Sequence, residues 1–259
     1  MQIIIPMTGH GTRFKSKGYK RLKPFIKVHN RPMIQWVVKM FPGDEEKIIF
    51  VCQNKHLEKY NYIKKDLKKI APKANIYGIK KWVKKGPVND ILNVSRLIND
   101  DEQVIISYCD FYIHWDYKKF KNKLKKINPE GSIPCYTGFH PHLLPEKNLY
   151  ASCKVDKNNN LIEIKEKFSF EFDKTKALHS PGIYYFKTGK IMKDYFMKSM
   201  ILNQRVEGEF YASLPFNLLK RDGLQVWCPN NVKKFCQWGT PYDLEQYLNW
   251  IKIIKDSKK

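Results

Sequence analysis

Short apolar runs alternate with amphipathic stretches through the first half of the chain. Residues 2–7, rich in isoleucine, predict a buried strand that stops at the glycine-bearing loop Thr8-Gly9-His10-Gly11-Thr12-Arg13. A second short strand or turn follows at residues 24–28. Behind Pro32, the apolar residues Met33, Ile34, Trp36, Val37, Val38, Met40 and Phe41 recur at helical spacing, and proline suits a first helical turn. Residues 47–52 predict a buried strand, residues 56–70 a lysine-rich amphipathic helix, residues 75–79 a strand and residues 88–98 another helix. The apolar run over residues 103–110 then predicts a strand that ends on Asp110.

From Ser132 onward the period shortens. Strands are predicted over residues 133–137, 150–155, 161–164 and 181–186, the middle two joined by a turn at Asn158-Asn159-Asn160. A last helix is expected over residues 243–254, with Asp116 capping a helix that starts at Tyr117 and residues 255–259 fraying. The rhythm predicts a three-layer α/β/α sandwich on a mixed, mostly parallel, Rossmann-like sheet, with ligands at the carboxyl ends of its strands. No repeat or linker divides the chain, so residues 1–259 are read as one domain with halves at 1–130 and 131–259.

Composition narrows the class. The chain has 259 residues, 42% hydrophobic, with 48 Lys+Arg against 25 Asp+Glu and a formal charge of +23. That length buries a core without disulfides or metals. No run of about 18 uncharged apolar residues occurs, and the N-terminus lacks the features of a signal peptide, so a cytoplasmic protein with no membrane partner is expected. The six cysteines are scattered, without zinc-finger or C-x-x-C spacing, and read as reduced thiols. The positive charge is spread over lysine pairs along the whole chain rather than gathered in one element, which favours a solvated surface over a nucleic-acid groove.

The first loop carries candidate chemistry. Gly9 and Gly11 let the backbone approach a ligand, the intervening amides can face phosphate oxygens, and Arg13 adds a bidentate cation. It is neither a dinucleotide fingerprint, because Phe14 stands where G-x-G-x-x-G has its third glycine, nor a P-loop, because no G-K-[ST] follows. A carboxylate at a strand end, Asp110, can bind Mg²⁺ or simply close a turn.

Taken together, Ile4-Ile5-Pro6-Met7-Thr8-Gly9-His10-Gly11-Thr12-Arg13-Phe14, then Lys23-Pro24 and Arg31-Pro32-Met33-Ile34, resemble the N-terminal signature of the sugar-phosphate nucleotidylyltransferase superfamily, whose architecture is the GT-A type. The resemblance implies that Met7, Thr8, Gly9, Gly11 and Thr12 bind a nucleoside triphosphate and that Arg13 and Lys23 act on the reacting phosphates. It implies Asp110 as the ligand of a Mg²⁺ cofactor. Lys85-Gly86-Pro87-Val88-Asn89 resembles the loop where the family recognises the base, making Gly86 a nucleotide-binding candidate, and is equally readable as a plain helix start. Glu166-Lys167, Ser180-Pro181-Gly182-Ile183-Tyr184 and Glu207-Gly208-Glu209-Phe210-Tyr211 resemble acceptor-side elements, which nominates Lys167, Gly182 and Glu209. One departure stands out: Gln237 occupies the position where many relatives carry a second metal-binding aspartate in D-x-G-T.

The implied reaction is attack of an acceptor phosphate on the α-phosphorus of a nucleoside triphosphate, releasing pyrophosphate. The Pro6-Met7-Thr8 opening and Gln237-Trp238-Gly239-Thr240-Pro241 are similar to capsule-associated and phosphocholine-type cytidylyltransferases, which favours CTP. Among them, the cytidylyltransferases of capsular phosphoramidate synthesis imply L-glutamine phosphate as acceptor; a sugar 1-phosphate or phosphocholine is the alternative. Two rivals differ in class. A GT-A glycosyltransferase usually carries D-x-D, which Asp110-Phe111-Tyr112 lacks, and a nucleic-acid-binding protein would account for the charge but not for the loop.

Overall fold

The computed structural model describes residues 1–256. In the first half, β1 (Gln2–Pro6) leads through a one-turn helix α1 (Thr12–Ser16), a 3-10 turn (Lys23–Phe25) and the hairpin β2 (Lys27–Val28) and β3 (Arg31–Pro32) to α2 (Met33–Lys39). Next come β4 (Lys47–Gln53), α3 (Asn54–Lys59), α4 (Tyr62–Ile70), β5 (Asn75–Ile79), α5 (Pro87–Leu92), β6 (Val104–Ser107), β7 (Phe111–His114) and α6 (Tyr117–Ile127). The second half holds β8 (Gly131–Ser132), β9 (Ser152–Val155), β10 (Leu161–Lys165), β11 (Leu178–His179) and β12 (Ile183–Phe186). It ends with α7 (Gly189–Ile201), α8 (Pro215–Arg221), β13 (Val226–Trp227), β14 (Lys234–Gln237) and α9 (Pro241–Asp256).

The main sheet has the order β13-β8-β12-β6-β1-β4-β5. β1 pairs in parallel with both β4 and β6, while β12 runs antiparallel between β6 and β8. Strands from both halves therefore share one sheet. Alternation along β1 sends Ile3 and Ile5 to one face and Ile4 to the other. On the first face they pack with Ile34 and Val37 of α2, Ile63 and Leu67 of α4, and Phe120 and Leu124 of α6. On the second, Ile4 packs with Val88 and Ile91 of α5, Met192 and Phe196 of α7, and Phe216 and Leu219 of α8. Helices thus cover both faces, giving the mixed, mostly parallel α/β/α sandwich expected. Each isoleucine of β1 is fully buried, a burial that contributes roughly 1.5–3 kcal/mol per side chain.

Several boundaries differ from the sequence pattern for identifiable reasons. The helix expected over residues 56–70 breaks at Tyr60, which is extended at φ −120°, ψ 91°. After the break, the Tyr62 ring packs 5.3 Å from Phe25, and its hydroxyl accepts from the Leu22 amide at 3.2 Å, pinning the segment before Lys23. The helix expected over 88–98 stops at Leu92, where the Asn93 side chain bonds back to the Asn89 carbonyl at 2.8 Å. β6 ends at Ser107 rather than Asp110, because the chain leaves the main sheet so that Phe111 can pair with Gln237 of β14.

The strand expected over 133–137 is reduced to isolated bridges from Cys135 to Asn230 and from Tyr136 to His179. Helix α7 and helix α8 went unpredicted. The Asn-rich turn forms, with Asn159 at φ 61° and Asp156 accepting from the Asn158 and Asn160 amides. Asp116 caps α6 by accepting from the Lys119 amide at 2.8 Å. Lys255 and Asp256 continue α9, and residues 257–259 of the expected fraying tail lie outside the described residues. The six cysteines are free thiols, and no helix among the described residues is long and apolar enough to cross a membrane.

Candidate active site

A cleft of about 420 Å³ opens beyond the carboxyl ends of β1 and β6. Met7, Thr8, Gly9, Gly11, Thr12, Arg13, Lys23, Gly86, Asp110 and Glu209 all line it, together with Trp82, Asp90, Tyr108, Tyr211 and Gly239. Met7 prolongs the β1 ladder through its amide to the Val51 carbonyl at 2.7 Å. The loop then turns sharply at Gly11, whose φ of +62° suits glycine, and whose carbonyl accepts from the Phe14 and Lys15 amides at 3.0 Å. α1 starts immediately afterwards, so Arg13 sits on a helical turn rather than in an extended loop.

Lys23 is held against this loop: a Cβ built on Gly11 would lie 3.4 Å from the Lys23 Cβ. Its Nζ bonds Asp110 Oδ2 at 2.7 Å. Burial tends to lower the Lys23 ammonium, but the charge and hydrogen bond of Asp110, with Cys109 adding to them, outweigh it and raise the group above its usual value. A small cluster of Phe14, Ile26, Val28, Met33, Trp238 and Leu244 packs beneath, tying α1 and the Lys23 segment to α9.

Asp110 is fixed from the other side by β14. Its carbonyl accepts from the Trp238 amide at 3.1 Å. A Cβ on Gly239 would lie 3.0 Å from Gln237 Nε2 and 3.2 Å from Asp110 Oδ2, so both side chains converge on that glycine. Among the described residues no group of three His, Cys, Asp or Glu side chains could hold a metal ion. Gln237 turns its Nε2 toward that glycine while its Oε1 accepts from the Trp238 amide at 3.2 Å, so the Asp110 carboxylate is the oxygen donor here that fits a cation such as Mg²⁺, which takes much of its coordination from phosphates and water.

The opposite rim joins the two halves of the chain. Phe210 donates its amide to the Lys85 carbonyl at 2.8 Å and accepts from the Val88 amide at 3.2 Å. Gly86, at φ +95°, allows this approach, because a Cβ there would lie 2.7 Å from the Phe210 nitrogen. Lys84 pairs with Glu209 at 3.1 Å. Behind this rim sits the buried carboxylate of Asp90, which accepts from the Thr8 hydroxyl and, at 2.9 Å, from Trp82 Nε1. The Thr8 carbonyl accepts from the Gln53 side-chain amide. Burial pushes the Asp90 carboxyl up to about 6, against its hydrogen bonds.

Two nominated residues stand back from the cleft wall. Lys167 pairs with Glu207, its Nζ 5.9 Å from the centre of the Tyr211 ring. Gly182 lies under Tyr108, where a Cβ would come within 2.8 Å of Cδ2. Both support rings that do line the cleft. Glu166 accepts from the Ser213 hydroxyl, and burial pushes it up to about 7. Asp90, Trp82, Tyr108 and Tyr211 were not singled out from the sequence as site residues. Asp90 follows directly on the nominated Gly86 segment, where an acid reads as a favourable charge in a first helical turn.

An α/β sandwich whose glycine loop, cations and carboxylate meet beyond the strand ends belongs to the class of α/β proteins that bind ligands at the carboxyl edge of the sheet. The chain is a member of the Nucleotidyl transferase family, whose model matches residues 2–221. Solved structures of similar fold include a nucleoside-diphosphate-sugar pyrophosphorylase from Vibrio cholerae RC9, with TM-score 0.74 and 15% identity over 95% of this chain and 99% of that one. A UDP-glucose pyrophosphorylase complexed with UDP-glucose gives TM-score 0.72 and 17% identity, covering 97% and 98%. HddC from Yersinia pseudotuberculosis gives 0.62 and 19%, covering 96% and 99%. No curated protein matches the chain.

Proposed function

We propose that this chain is a Mg²⁺-dependent cytidylyltransferase that joins CMP from CTP to a small phosphorylated acceptor, L-glutamine phosphate, and releases pyrophosphate in the cytoplasm. The observation that carries nucleotidyl transfer is the meeting of the Gly9–Gly11 loop, Arg13, Lys23 and Asp110 in one cleft. Family membership supports the reaction type. The base and the acceptor rest on the likeness of Pro6-Met7-Thr8 and Gln237-Trp238-Gly239-Thr240-Pro241 to capsule-associated cytidylyltransferases. In this reading residues 1–130 hold the nucleotide and residues 131–259 the acceptor.

In the reaction, an acceptor phosphate oxygen forms a bond to the α-phosphorus while the bond from that phosphorus to the bridging oxygen of the β-phosphate breaks. Both reactants are anions, so the work is alignment and charge screening rather than covalent chemistry. The loop amides and Arg13 bind the triphosphate, and Lys23 holds charge against the phosphates. Asp110, with Gln237 beside it, would hold Mg²⁺, which supplies further charge screening when bound. Lys167 and Gly182 act through Tyr211 and Tyr108, and Glu209 closes the rim.

The test is pyrophosphate release with Mg²⁺, crossing CTP, UTP, dTTP, ATP and GTP against L-glutamine phosphate, phosphocholine and several sugar 1-phosphates. Release from CTP with L-glutamine phosphate alone is expected. Release with another pair reassigns the substrates, and release with none removes the reading.

A further inference from the structure

The cleft holds two carboxylates in contrasting surroundings. Asp110 faces a lysine at 2.7 Å. Asp90 is 3% exposed, and the donors on it are neutral: Thr8 on Oδ2, Trp82 on Oδ1, and the Asn89 side chain. Glu209 adds negative charge to its surroundings. A triphosphate cannot sit against such a carboxylate without cations, so the Asp90 end must face the uncharged part of a nucleotide, its base. An ionised carboxylate accepts about four hydrogen bonds. Three donors are accounted for, which leaves an acceptor site open beside the indole of Trp82.

We infer that Asp90, locked between Thr8 and Trp82, is a specificity-determining residue that selects a base bearing an exocyclic amino group, which among the pyrimidines means cytosine. This rests on the nucleotidyl-transfer reading above. Cytosine offers a donor amino group to the open lone pair, whereas uracil and thymine offer a carbonyl oxygen, which the carboxylate repels. Carboxylates pair with the cytosine amino group in other recognition settings for the same reason. The rigid hold on both oxygens matters, because a carboxylate free to turn would lose selectivity.

Holding this group buried works against stability whenever it is ionised, because the side chains that donate to it are neutral. Such a cost at the wall of a cleft is characteristic of a functional position. His10, whose ring meets Trp82 edge-on at 4.9 Å and is in turn met by His56 at 5.4 Å, braces the indole.

The test is titration calorimetry of the full-length protein with CTP, UTP and N4,N4-dimethyl-CTP, repeated on Asp90→Asn. The wild type is expected to bind CTP at least about tenfold more tightly than either competitor, since the dimethylated base has lost its donors. In Asp90→Asn, whose amide can accept or donate, the CTP/UTP ratio is expected to fall to within about threefold. Equal wild-type binding of CTP and UTP, or an undiminished preference in the variant, overturns the inference while leaving nucleotidyl transfer standing. If the variant fails to fold, the dimethylated analogue decides on the wild type alone. Binding of none of the three overturns this inference, and the nucleotidyl-transfer reading falls with it only if dTTP, ATP and GTP fail to bind as well.

Discussion

The two halves of the chain reach the cleft by different means. Residues before 130 bring backbone and charge: a glycine turn after β1, a lysine on a 3-10 turn, and an aspartate where β6 gives way to β7. The lining rings Trp82 and Tyr108 also come from this half; residues after 131 bring Glu209, Tyr211 and Gly239, backed by a buried polar interior. There, Tyr136 shares a hydrogen bond with His142 at 2.8 Å, the Phe235 amide donates to His140 at 3.2 Å, and Tyr150 donates to Asp243 at 3.3 Å. Burial drives His142 well below its ordinary range and lowers His140 and His179 too, so these rings are neutral structural partners. One half presents cations and backbone amides to the cleft. The other backs part of its rim with a polar interior of neutral rings.

The sharpest way to break this comparison is to remove the charges of the first half. Asp110→Asn and Lys23→Ala are each expected to lower turnover by at least about tenfold while leaving the protein folded, since both side chains line the cleft. Steady-state kinetics and thermal melts on the same preparations check this. Near-normal turnover in either variant would remove that residue from the reacting centre.

A smaller effect is expected in the second half, and on stability rather than rate. Glu166 is raised from 4.5 to about 7 by burial, partly offset by Ser213. A carboxyl raised by the fold is penalised once ionised, so its contribution falls as pH climbs from about 4.5 to about 7. Glu166→Gln keeps an acceptor for Ser213 and stays neutral. It should gain on the order of 2 kcal/mol over the wild type at pH 8, after allowing for partial exposure, and little at pH 4.5. Thermal melts at the two pH values read this out, and an equal difference at both would show that Glu166 is not held up by its surroundings.

How much of this was legible follows the same division. The β1 loop is local in sequence, so its glycines and Arg13 announce themselves, and the isoleucine runs give the parallel core. Lys23 and Asp110 are 87 residues apart, and only the resemblance to the family's signature joins them. Asp90 escaped notice because its meaning lies in Thr8, 82 residues away. In the second half several defining contacts are of that kind: Ser213 with Glu166 across 47 residues, Phe235 with His140 across 95. α7 went unpredicted although Thr188 caps it by accepting from the Ile191 amide at 3.1 Å. Its buried face carries Gly189, Met192, Phe196 and Ser199, a mixture of small and large side chains that blurs the helical stripe.

The account turns on transfer of a nucleotidyl group to a phosphate. The direct measurement is the fate of the α-phosphorus, followed by chromatography and counting of a mixture of the protein, Mg²⁺, CTP carrying ³²P at that atom and L-glutamine phosphate. The expected result is label in a P–O–P-linked conjugate of CMP and acceptor, with one pyrophosphate for each conjugate formed. Label recovered as free CMP with no conjugate, or inorganic phosphate as the co-product, would contradict it.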